Sequence, residues 1–263
     1  MPAAEIPTQA TTRPKTALRI LVALTVVAMI VMNILANALP FFGRGTGQVS
    51  ALYPTLVTPA GYVFAIWGLI YLGMLAYGVA QFVTPLADDP LPDRLAWPLI
   101  VSSVANVVWL LLWQSLSIAW TVPVMLVLLA SLIAAYLMAR RDRADRPSSL
   151  ERWAVRAPIS VYLGWISVAT IANVSAALYS TRWTGWGVPA AWWGVIVLLV
   201  GAALAFAGLA LRRDGVFAGV FVWAFAGIAV ATVSAPVRIA AAVLAAAILA
   251  GILVAVVTSR RTA

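Results

Sequence analysis

Chemistry has few places to start in this sequence. Histidine and cysteine are both absent, which removes the commonest metal ligand, the commonest general base and any thiol nucleophile or disulfide. The eight acidic residues are Glu5, Asp88, Asp89, Asp93, Asp142, Asp145, Glu151 and Asp214, and all fall outside the long apolar runs. An ion-driven pump is expected to carry a carboxylate or lysine inside a span, so that class is disfavoured. What remains is a set of amides and aromatic rings at helical spacing. Asn33 and Asn37 lie one turn apart, and Phe64, Trp67 and Tyr71 share a face at i, i+3 and i+7. Asn106, Trp109 and Trp113 share another, as do Tyr162, Trp165, Ala169 and Asn173. Asparagine in hydrocarbon is costly unless it bonds to another helix, a ligand or water. Two readings follow. The asparagines could join helices while the rings fill a bundle core, or the rings could wall a pocket with a few polar groups, the usual build of a site for a flat hydrophobic ligand.

The elements that must position these residues are membrane helices. The chain of 263 residues is 64% apolar and only 10% charged, with a mean hydropathy of +1.02. A soluble domain of that size needs many more charges on its surface. In lipid every backbone polar group must be satisfied internally, and unbroken apolar runs select helices over a barrel. Eight segments reach the length of a span, at about 17–39, 60–83, 95–117, 119–139, 154–180, 190–211, 215–234 and 237–258. The third and fourth form a hairpin with a short turn near Ser117–Trp120. The first run is too long, and too poor in small residues at its end, for a removable signal peptide.

Charge orients the bundle. With the N-terminus inside, only Arg44, Arg182 and Arg238 of the 17 basic residues fall in outer segments. The others, including the Arg140–Arg156 cluster and the Arg212–Arg213 pair, fall inside, which predicts both termini in the cytoplasm. The net charge of +9 is therefore a topology signal, with anionic lipid headgroups as a second use of the loop, and no nucleic-acid partner is expected. Trp97, Trp120, Trp153, Trp183, Trp186, Trp192 and Trp193 fall near predicted helix ends, as an interfacial aromatic belt does. Trp67, Trp109, Trp113, Trp165 and Trp223 lie deeper. The longest outer loop, from Pro40 to Pro59, is loosened by glycines and then stiffened by Pro54 and Pro59. It is read equally as a lid or as a passive connector.

Three motifs resemble a known family. Tyr53-Pro-Thr-Leu-Val-Thr-Pro59-Ala-Gly-Tyr62-Val-Phe64-Ala-Ile-Trp67-Gly-Leu-Ile-Tyr71 resembles the proline-aromatic entry to the second helix of the TspO/MBR family. These are the tryptophan-rich sensory proteins, or translocator proteins. Asn106-Val-Val-Trp109 resembles the Asn-x-x-Trp of its third helix, and Tyr162-Leu-Gly-Trp165-Ile-Ser-Val-Ala169-Thr-Ile-Ala-Asn173 the pattern of its fifth. The match covers roughly residues 15–180. Val161 stands where the family has a proline, with Pro158 three residues earlier, and the chain continues beyond the family's five spans.

The resemblance implies a TspO-like five-helix core over 17–180, after a short tail over 1–16, with three further spans over 181–263. It implies a cavity closed by the first loop that binds tetrapyrroles or other flat lipophiles. By position the lining candidates are Trp67, Tyr71, Asn106, Trp109, Tyr162, Trp165 and Asn173, to which the helical face of the third span adds Trp113. The family's sterol-recognition segment is not evident after the fifth helix. The last three spans carry small-residue pairs such as Gly201 with Ala205 and Ala247 with Gly251, which suit a packing or homodimer-forming annex. No cofactor is expected beyond a bound tetrapyrrole as ligand.

The resulting expectation is an all-α, polytopic bundle of about eight spans in a bacterial cytoplasmic membrane. It would act as a receptor, sensor or carrier for a hydrophobic planar ligand such as a porphyrin. A membrane enzyme modifying such a ligand and a structural subunit of a larger complex are the alternatives.

Overall fold

The computed structural model describes residues 15–39, 41–140 and 147–261, with side chains through Thr258. Glu5, Arg13, Pro40, Arg141, Asp142, Arg143, Asp145 and Arg146, together with the 1–14 part of the tail, lie outside the described residues, as do the side chains of Arg260 and Arg261. Among the described residues every regular element is helical. We number them α1 (Thr16–Ala38), the short α2 (Thr46–Ala51), α3 (Gly61–Ala80), α4 (Leu91–Gln114), α5 (Ile118–Met138), α6 (Ser149–Ser180), α7 (Ala190–Arg212), α8 (Gly215–Ala231) and α9 (Ala235–Arg261). Seven of the eight long helices are long and apolar enough to cross a membrane, and the chain is an integral membrane protein. The eighth, α8, has 17 residues and ends three residues before the 215–234 span expected for it.

Helix bounds shift from the hydropathy segments where polar residues extend a helix past its apolar stretch. Helix α4 begins at Leu91, after Pro90 and with Pro92 in its first turn, so Asp93 and Arg94 are helical and not in a loop. Helix α6 begins at Ser149 with Ser148 as its N-cap, so Glu151 is helical too. The α4–α5 hairpin turns at Ser115–Ser117, leaving Trp120 inside α5. Leu116 takes the left-handed conformation there (φ 60°), and the Ser117 N–H closes onto Leu112 O at 2.9 Å, the usual end of a helix that stops abruptly.

Each helix of the rim buries one stripe and shows lipid the other. In α1, Val22, Val26, Met29, Asn33 and Ala36 are buried, whereas Leu24, Val27, Val31 and Ile34 face outward. Helix α6 is different. It is buried on all sides from Pro158 through Val168, because α3, α5 and α8 all pack on it. A π turn at Arg152–Arg156 precedes Pro158, whose ring sits against Gly73 of α3, so the displaced proline becomes a packing residue.

Helices α7, α8 and α9 pack on one another, with α8 the main contact to α6. Phe217, Phe221 and Phe225 form an edge-on ladder down α8, and Gly201 of α7 provides room for Phe225. That glycine is thus used within the chain.

One buried and one half-buried arginine at the basic end hold the loops. Arg19 is 2% exposed, bonds Asp93 at 2.8 Å and donates to the carbonyls of Gln81, Leu86, Ala87 and Asp89. It therefore fixes the α3–α4 connection through all three of its guanidinium nitrogens. Arg140, just beyond α5, pairs with Asp214 at 2.7 Å, lies over the Tyr136 ring and shares Ser160 Oγ with that carboxylate. Burial pulls the Arg140 guanidinium below its usual range, and the Asp214 carboxylate opposes the shift. Asp214 also caps α8 through Phe217 N–H at 3.0 Å, tying the last three helices to α5 and α6.

Candidate functional site

The aromatic faces converge in the half of the bundle away from the arginine-rich ends of the helices. Trp67 on α3 is the centre. It stacks on Tyr71 at 5.6 Å and meets Trp165 of α6 edge-on at 6.2 Å. Phe64 also meets Trp165 edge-on, at 5.6 Å. Across from this group Trp109 and Trp113 of α4 stack at 5.5 Å, one turn apart. Between the two aromatic groups lies an inner recess of about 70 Å³, walled by Trp67, Asn106, Trp109, Trp113, Trp165 and Asn173 and by small residues of α6 such as Ala169, Ala172 and Ala176.

The recess adjoins an outer chamber of about 900 Å³. Asn33 and Asn37 of α1, Tyr71, Trp67 and Trp109 line the chamber with residues of the 46–61 segment, and Ala231 of α8 reaches its rim. Thr46, Ser50, Thr58, Pro59 and Phe64 line both spaces. The outer chamber falls in the usual size range of a small-molecule site, and the inner recess falls well below it. Among the described residues no charged side chain lines either space.

The amides show how helix packing and pocket are combined. Asn33 donates to Asn106 Oδ1 at 2.7 Å, joining α1 to α4. Asn173 donates to Thr121 Oγ1 at 2.7 Å and accepts from Trp109 Nε1 at 3.4 Å, joining α6 to α5 and α4. Gln114 Nε2 donates to Ala36 O at 2.6 Å. After these bonds Trp165 Nε1 and Thr46 Oγ1 remain buried without a partner, and Asn106 Nδ2 makes no well-formed hydrogen bond, its neighbour being the Tyr162 hydroxyl. All three belong to residues that line the recess. A buried unpartnered donor costs about 1–3 kcal/mol, which an acceptor on a bound molecule would recover.

Of the sequence candidates, Trp67, Asn106, Trp109, Trp113, Trp165 and Asn173 are brought together in the recess, and Tyr71 faces the outer chamber. Tyr162 lines neither space. It is fully buried behind Trp67, at 6.0 Å between rings, and its hydroxyl donates to Met29 Sδ at 3.5 Å. Among the deep tryptophans Trp223 is also outside the pocket, 41% exposed on α8 and bonded to Val63 O.

The first loop covers the recess. Helix α2 is seated by Trp113 Nε1 donating to Thr46 O at 3.1 Å and by Thr46 N–H donating to Asn37 Oδ1 at 3.3 Å. Val49 is fully buried in a small cluster with Trp113, Ile118 and Ala176. Sequence reasoning missed Thr46, Ser50 and Thr58, because a short polar loop carries no periodicity that marks an inward face.

The sequence profile of the TSPO-like protein family matches residues 19–256, and the chain belongs to that family. The match extends over α7, α8 and most of α9 as well as the first five long helices. No curated protein and no solved structure matches the chain.

Proposed function

We propose that this TSPO-like membrane protein binds a flat, hydrophobic ligand that carries hydrogen-bond acceptors, and acts as its receptor, sensor or carrier. A porphyrin is the candidate class. The observation that carries the reading is the buried, unpartnered donor Trp165 Nε1 in an aromatic recess, with the Asn106 amide, whose NH₂ has only the Tyr162 hydroxyl near it, in the same wall. Flat rings gain from stacking and edge contacts with Trp67 and the Trp109–Trp113 pair, and an acceptor on the ring edge would satisfy the donors. The size difference supports a division of parts. A macrocycle would occupy the outer chamber, with one edge inserted toward the recess, and polar substituents would meet the hydroxyls of the 46–58 segment.

The basic bias of the loops supports an orientation with both termini in the cytoplasm of a bacterium and the chamber opening on the opposite face. The test of function is a titration of purified protein in nanodiscs with protoporphyrin IX, followed by tryptophan quenching and by the porphyrin's Soret band. Saturable one-site binding is expected. Absence of binding across a panel of tetrapyrroles and neutral planar lipophiles would sink the reading.

A further inference from the structure

Helix α8 touches the pocket directly only through Ala231 at the chamber rim. It nevertheless holds the segment that leads from the covering loop into α3. The Ala60 N–H donates to Gly227 O at 3.1 Å, and Trp223 Nε1 donates to Val63 O at 3.0 Å. The Tyr62 ring lies edge-on to Trp223 at 5.5 Å. Gly227 is what allows this approach, because a Cβ there would collide with Val63 Cγ2. The segment has little regular structure of its own before the 3₁₀ turn at Gly61–Ala65, so the bonds from α8 set its position.

Helix α8 is itself immobilised. Asp214 fixes its first turn to Arg140 and Ser160, and Gly164 of α6 seats it so closely that a Cβ would lie 3.0 Å from Val220 and 3.1 Å from Phe217 O. The chain of contact runs from α6 through α8 to Ala60 and Val63. It ends at their neighbours Thr58, Pro59 and Phe64, which line the recess and the chamber.

We infer that α8 is a positioning helix for the ligand pocket, and that Trp223 and Gly227 set ligand affinity without touching the ligand. The inference rests on the proposed binding function and gives α8, among the last three helices, a role beyond packing. The test uses full-length protein in nanodiscs, with protoporphyrin IX as probe and the Soret band as readout, so that loss of a tryptophan does not distort the signal. Gly227→Ala should weaken binding at least five-fold, and Gly227→Ala combined with Val63→Ala should return it to within two-fold of wild type. Trp223→Phe, which keeps a ring and removes only the donor-bearing part, should weaken binding two- to five-fold. Hydrogen exchange of the 57–65 backbone should accelerate in both single variants.

Wild-type affinity in both single variants, or unchanged exchange over 57–65, would overturn the inference. If wild-type protein binds no probe, the proposed function fails. The positioning claim is then decided by exchange alone, acceleration supporting it and unchanged exchange refuting it.

Discussion

Asn33 donates its side-chain amide to Asn106 Oδ1 at 2.7 Å across the α1–α4 contact, and that bond fixes which way the Asn106 amide faces. With the oxygen engaged, the Asn106 NH₂ is left buried beside the Tyr162 hydroxyl, in a residue that lines the recess. One residue thus joins two helices with its acceptor and, under the proposed function, would offer a ligand its donor.

Asn106→Leu removes both functions at once. Porphyrin affinity is expected to fall about ten-fold, equivalent to about 1.4 kcal/mol, from loss of the donor. Stability should fall by about 1–2 kcal/mol, because Asn33 then keeps only Met29 O at 2.9 Å. Titration and thermal unfolding in the same nanodisc preparation measure the two effects, and unchanged affinity would remove Asn106 from the site.

Trp165→Phe isolates the second donor. The indole N–H has no partner in the ligand-free protein, so its removal costs the folded state no hydrogen bond. Affinity for an acceptor-bearing ligand should fall about three- to ten-fold, while the free protein loses no more than about 1 kcal/mol for the smaller ring. A large stability loss with unchanged affinity would show that Trp165 only fills space.

Asp214→Ala leaves the half-buried Arg140 without its carboxylate and strips α8 of its N-cap. The expected cost is about 3–5 kcal/mol, read as a lowered unfolding midpoint in detergent. Combining it with Arg140→Met should recover much of the loss, since the uncompensated charge is then gone. Failure of the double variant to exceed the single one would mean that the cap, not the ion pair, carries the effect.

How much of this was legible in the sequence depends on what each signal measures. Hydropathy reports the apolar content of a segment, so the eight long helices were visible, and so were the faces that bring Trp67, Trp109, Trp113 and Trp165 together. It does not report what packs on a helix from outside. Tyr162 keeps the spacing of a lining residue but is turned behind Trp67, because α6 is buried on every side at that level. Arg19 and Arg140 read as charges at span ends and in loops that set topology, and Asp214 as a carboxylate outside the spans, yet all three are engaged in buried or nearly buried pairs that hold loops and helices together. Partners 54 to 78 positions apart, as for Ser160 with Asp214 or Gln114 with Ala36, leave no local signature. The small residues of the last three helices announced close packing, and only the structure identified Val63, Phe217 and Phe225 as what they pack against.

Orientation is tested with introduced cysteines, for which the natural chain supplies no background. Arg44→Cys and Thr184→Cys should react with a membrane-impermeant maleimide in intact spheroplasts, and Asp88→Cys should react only after lysis. All three positions are exposed. The reverse pattern would invert the proposed topology and place the chamber on the cytoplasmic side.

The central claim is that the recess between Trp67, Trp109 and Trp165, together with the chamber beside it, holds the ligand. The most direct measurement compares protoporphyrin IX titrations of wild-type protein and of Ala169→Phe, which fills the recess without removing any donor or ring. Wild type should saturate at one equivalent with quenched tryptophan fluorescence, and Ala169→Phe should lose at least ten-fold in affinity while remaining folded. Equal affinity and equal quenching in the two proteins would contradict the account.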